Sequence, residues 1–89
     1  MGLRELRKRL DVVDNQIMAL LSERAHMIVQ VADFKRRHNL PIYIPERETA
    51  IVERLCAMNP GPLSHEAIGR IYRTIIEEMR KFEHQQAVS

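Results

Sequence analysis

The sequence predicts an all-α protein, a three-helix protomer with a very long first helix, intertwined with a second copy as a homodimer. Three observations lead there. Between Gly2 and Pro41 there is neither glycine nor proline. Within that stretch apolar residues recur at alternating steps of three and four. The two later interruptions, around Pro41 and Pro45 and at Asn59-Pro60-Gly61-Pro62, are dense in residues that stop helices.

The first helix is expected over about residues 3–38. Leu3, Leu6, Leu10, Val13, Ile17, Leu20, Met27, Val31 and Phe34 form a heptad-like stripe suited to packing along a seam. Roughly 36 residues at 1.5 Å each make a rod of about 54 Å. A compact domain of 89 residues has a radius of gyration of only ~12 Å. One chain cannot cover such a rod, so a second copy is expected to, as an obligate dimer. Pro41 ends the helix, and Ile44, preceding a proline, is disfavoured in helical geometry. Pro45 suits the first turn of a second helix over 45–58, where Glu46 and Glu48 complement its dipole. Its apolar face is Ile51, Val52, Leu55 and Met58. Ser64 is a natural N-cap for a third helix over about 64–85. That helix's face carries Ile68, Ile71, Tyr72, Ile75, Ile76, Met79 and Phe82. From about Gln85 the composition turns polar and the end is expected to fray.

Composition narrows the function classes. With 45% hydrophobic and 29% charged residues the chain is globular, and 89 residues make one domain, 1–89. The net charge of +2 comes from interspersed acids and bases, unlike the continuous basic stripe of a nucleic-acid binder. A single cysteine, Cys56, excludes an intrachain disulfide framework. No apolar leader and no run of about 18 apolar residues exists, so neither secretion nor membrane insertion is expected and the cytosol is the default. His26, His38, His65 and His84 form no credible metal cluster and read as surface residues.

The charges that interrupt the stripes carry the chemistry. Arg24 occupies the seam position between Leu20 and Met27. Lys35 follows eleven residues later, almost three full turns, so both project from nearly one face. An uncompensated arginine in a seam is costly unless something anionic meets it. An ion pair with a glutamate, or snorkelling to the edge, is the plainer alternative. Arg47 and Glu48 stand in the first turn of the second helix, at an end that favours anions. Glu83 lies on the flank of the third helix's apolar face, where a partly desolvated carboxyl or a solvated residue near a fraying end are both open readings. Arg7 is seventeen residues from Arg24, a rise of ~25 Å, and is rotated about a quarter turn away. It cannot join the same site within one chain, but an antiparallel partner helix would deliver it.

The order Leu6-Arg7-x-x-Leu10-Asp11-x-x-Asp14, then Ile17, Leu20-Leu21, Glu23-Arg24, Val31 and Lys35, resembles the AroQ-class chorismate mutases. So do Pro41-Ile42, Pro45-Glu46-Arg47-Glu48 and the late Ile75-Ile76-Glu77. The resemblance covers about residues 3–85. It implies a chorismate mutase II-like fold and an isomerase converting chorismate to prephenate, for phenylalanine and tyrosine biosynthesis, by a Claisen rearrangement. It also implies shared sites: Arg24, Lys35, Arg47, Glu48 and Glu83 from one chain and Arg7 from the other. Arg7 and Arg24 would clamp the two substrate carboxylates, and Lys35 would stabilise charge on the ether oxygen. Glu48 would accept the ring hydroxyl, with Arg47 orienting Glu48 or adding to the positive field. No metal or organic cofactor is implied. Fusion to, or association with, another shikimate-pathway enzyme is compatible with the resemblance.

Three positions depart from the family pattern. Ile44 stands where aspartate is common; the change is tolerable if that position offers its backbone N–H to the substrate hydroxyl, and costs affinity if it uses its side chain. Met79 stands where some members have a small hydroxyl residue, and so lacks one carboxylate contact open to them. Glu83 replaces a glutamine that faces the ether oxygen. Glutamate donates a hydrogen bond only when protonated, so activity is expected to fall as pH rises. Two other readings stand beside the mutase. One is an isochorismate-pyruvate lyase of a closely related fold; the other is a non-catalytic helical dimerisation or regulatory module.

Overall fold

The computed structural model describes residues 1–88, and most of them lie in three helices: α1 (Leu3–Arg37), α2 (Pro45–Met58) and α3 (His65–Val88). The first is 35 residues long, and Glu5 in its first turn and Lys35, Arg36 and Arg37 in its last complement the dipole. Its end is set by Asn39, whose φ of 54° is left-handed. There the Leu40 N–H donates to the Lys35 carbonyl at 2.8 Å and the Asn39 N–H to the Arg36 carbonyl at 3.4 Å. This is the Schellman pairing, and asparagine tolerates the left-handed backbone it requires. Pro45 opens α2, and the N–H groups of Arg47 and Glu48 both donate to the Ile44 carbonyl. Asn59 organises the next turn. Its Nδ2 donates to the Leu63 carbonyl at 2.7 Å, and its Oδ1 accepts the Gly61 N–H at 2.9 Å. Gly61 has φ +80°, a conformation that side chains resist. Ser64 caps α3 through its Oγ, which accepts the Ala67 N–H at 3.0 Å.

Helix α3 runs on to Val88, three residues beyond the expected end at about residue 85. In that last turn Gln85 is exposed, while the half-buried Gln86 and Ala87 line a small cleft with Val29, Ala32 and Asp33 of α1.

Helix α3 is the central element and packs against both α1 and α2. Ile51 and Val52 of α2 meet Ile76 of α3 in a small core, with Leu55, Cys56 and Tyr72 packed around them. The chain extends 55 × 27 × 15 Å, with a radius of gyration of 16.1 Å, against the ~12 Å of a compact chain of this length. The N-terminal half of α1 projects beyond the other helices. Its stripe is uncovered, with Leu10 60% and Leu20 63% exposed. Contiguous exposed apolar surface of this kind marks an interaction face.

Candidate active site

Where the C-terminal half of α1, the start of α2 and the second half of α3 converge, they enclose an open cavity of about 400 Å³. Its apolar wall includes Ile28, Val31, Ile51, Ile76 and Met79; its polar members are Arg24, Lys35, Arg47, Glu48, Arg80 and Glu83. Ile42 and Ile44, from the connector between α1 and α2, complete the lining. One chain therefore gathers every expected site residue except Arg7.

Glu83 is buried, only 5% exposed, so its carboxyl belongs to the interior and not to a fraying end. The Lys35 Nζ lies 2.9 Å from Glu83 Oε2 and donates also, at 2.9 Å, to the Ile42 carbonyl. An ammonium has three donors; these two contacts leave the third for the cavity. The Schellman turn after Arg37 is what brings the Ile42 carbonyl back over Lys35.

Arg24 does not form the ion pair of the plainer reading. Its guanidinium carbon stands 5.8 Å from the Tyr72 ring centroid, and its Nη1 is buried without any hydrogen-bond partner. An unsatisfied buried donor costs ~1–3 kcal/mol, more when charged.

Glu48 pairs with Arg80, whose Nε donates to Glu48 Oε2 at 3.1 Å. Of the two roles expected of Arg47, orienting Glu48 or adding to the positive field, this leaves the second, because Arg80 holds the place beside Glu48. Adjacent helical residues diverge by about 100°, so Arg47 stays exposed at the cavity edge while Glu48 turns inward toward α3. Arg80 was not anticipated. The available signal was its place four residues after Ile76 and three before Glu83, on the buried side of α3.

The charge balance fits a small dianion. Four cations (Arg24, Lys35, Arg47, Arg80) and two carboxylates (Glu48, Glu83) line the cavity, an excess of two positive charges. Each carboxylate already has its cation, so the excess resides on Arg24 and Arg47. Arg7 is exposed on the projecting part of α1, outside the lining. The four histidines are all exposed, and among the described residues no group of three or more His, Cys, Asp or Glu side chains is placed to hold a metal ion.

Residues 6–84 match the family described as chorismate mutase type II. The chain belongs to the chorismate mutase type II family. The chorismate mutase of Methanocaldococcus jannaschii is 34% identical over 93% of this chain and 85% of its own length. The bifunctional chorismate mutase/prephenate dehydratase of Aquifex aeolicus is 38% identical over 98% of the chain. This chain spans only about a quarter of the length of that relative, and no more of the other bifunctional ones. Among solved structures, chorismate mutase (form II) from Thermus thermophilus superposes with a TM-score of 0.92 at 33% identity, covering 94% of this chain and 96% of that one. Chorismate mutase from Helicobacter pylori, solved in complex with prephenate, superposes at 0.86 with 31% identity, covering 94% and 91%. No helix among the described residues is long and apolar enough to cross a membrane.

Proposed function

We propose that this chain is a chorismate mutase that rearranges chorismate to prephenate in the cavity between its three helices, acting as a cytoplasmic homodimer in which Arg7 of the partner subunit completes each site. The observation that carries this reading is the buried, unpartnered Arg24 Nη1 in a cavity with two excess positive charges. Family membership supports it, and the bifunctional relatives support association or fusion with a prephenate-consuming enzyme.

The reaction is intramolecular. One C–O bond breaks as one C–C bond forms, and no atom is gained or lost. The protein's task is to hold the folded substrate shape and to stabilise the charge that develops. Arg24 takes one carboxylate and Arg7 of the partner subunit the other, and this clamping prepays the conformational entropy. Negative charge grows on the ether oxygen as its bond to the ring breaks. The third N–H of Lys35 meets it, and a preorganised donor of this kind is worth about 3 kcal/mol. Glu83 is ion-paired with Lys35 in the empty cavity and would donate to the same oxygen only in its protonated form. Glu48 accepts the ring hydroxyl, assisted by the backbone N–H of Ile44. Met79 contributes only apolar contact, and Arg47 strengthens the positive field.

The stripe of α1 supports the dimer. It is too long for one chain to cover, and an antiparallel copy would carry Arg7 back across the ~25 Å that separates it from Arg24. Supplying purified protein with chorismate and isochorismate separately, and identifying the products, tests the reaction. Prephenate from chorismate is expected. Release of pyruvate from isochorismate, with no prephenate formed, would make it the lyase; no turnover of either would make it a binding module.

A further inference from the structure

We infer that Arg80 is a positioning residue for this reaction, holding Glu48 in place from across the helix interface while Tyr43 braces Arg80 from behind; this rests on the mutase reading above. Three elements are tied at one guanidinium. Arg80 projects from α3, its Nε donates to Glu48 Oε2 on α2 at 3.1 Å, and its guanidinium carbon lies 4.6 Å from the ring centroid of Tyr43 in the connector. Arginine suits both contacts, because its planar group stacks on a ring while its edge donates to a carboxylate. The side chains of Arg80 and Glu48 are 33% and 26% exposed, so the pair is partly withdrawn from water.

The geometry has a consequence for the chemistry. Arg80 engages one carboxylate oxygen, Oε2, by its Nε. A carboxylate has about four acceptor sites, so Glu48 retains capacity for a substrate hydroxyl in a fixed direction. Without Arg80, Glu48 would stand at the start of α2 with no cation on its carboxylate and be free to swing toward solvent. Arg80 and Glu48 also form part of the wall between the catalytic cavity and a second cavity of about 350 Å³, which Tyr43 lines on the far side. The same pair therefore sets a boundary of the substrate space.

The test combines crystal structures with a double-mutant cycle. In Arg80→Met the Glu48 side chain should leave its wild-type position; a carboxylate that keeps its place without Arg80 overturns the inference. With chorismate, Arg80→Met should lower kcat/KM about tenfold in the wild-type background but less than about twofold when Glu48 is already glutamine. Equal losses in the two backgrounds would mean that Arg80 acts independently of Glu48, and would overturn it too. Arg80→Lys keeps the charge and most of the volume but loses the planar stack. It should fold whatever happens to the methionine variant, and should show a smaller loss, about threefold, that also vanishes with Glu48→Gln. If wild-type protein turns over no chorismate, the mutase reading fails and the position of Glu48 in the crystal structures alone decides the claim about Arg80.

Discussion

Arg24 and Glu83 show how single residues record what the cavity is built to hold. Arg24 keeps a buried Nη1 without a partner, an arrangement that costs stability in the empty protein. Replacing it by alanine should therefore leave thermal stability within about 1 kcal/mol of wild type, since the penalty is removed along with the cation–π contact to Tyr72. The same change should lower kcat/KM by about a hundredfold or more, because a bidentate carboxylate contact is lost. Paired melting curves and kinetics would show that dissociation of stability from activity. Glu83 is buried beside Lys35, and its proposed role as donor to the ether oxygen depends on a proton. Glu83→Gln, whose amide donates without needing a proton, should keep or raise kcat/KM. A large loss of kcat/KM in that variant would contradict the donor role.

The elements owe their boundaries to chemistry that is local in sequence. Ser64 Oγ accepts the Ala67 N–H, and replacing a serine cap by alanine costs about 1 kcal/mol. In a domain of this size Ser64→Ala should lower the melting temperature by roughly 4–8 °C, measured by circular dichroism, with kcat changed little because no part of the cap lines the cavity. Such local signals made the helices legible in the sequence: Pro45 opens α2, Gly61 and its neighbours close it, and Ser64 opens α3. Arg24 was legible for a related reason, as a charge standing where a regular apolar series required a hydrophobe. The pairing of Glu48 with Arg80 was not. Their positions differ by 32 residues, and a charged residue on the flank of an amphipathic helix looks the same whether it meets solvent or a carboxylate across an interface. The continuation of α3 past Gln85 was hidden likewise, because the residues it faces across a small cleft belong to α1.

At the scale of the whole molecule, the single chain leaves a long apolar face uncovered. Its radius of gyration of 16.1 Å and the exposed series Leu3, Leu6, Leu10, Val13, Ile17 and Leu20 describe a rod with one end on a small core and the other end uncovered. The proposed dimer covers that stripe and brings Arg7 to the cavity in one step, so assembly and activity should fail together. Placing a charge on the stripe, as in Leu20→Glu, should convert the dimer to monomer in analytical ultracentrifugation and abolish turnover. The most direct test of site sharing mixes two inactive proteins, Arg7→Ala and Arg24→Ala, under conditions that exchange subunits. A mixed dimer would have one site with both defects and one with neither, so the mixture should recover about a quarter of wild-type activity. Subunits that exchange with no recovery of activity would contradict the shared site.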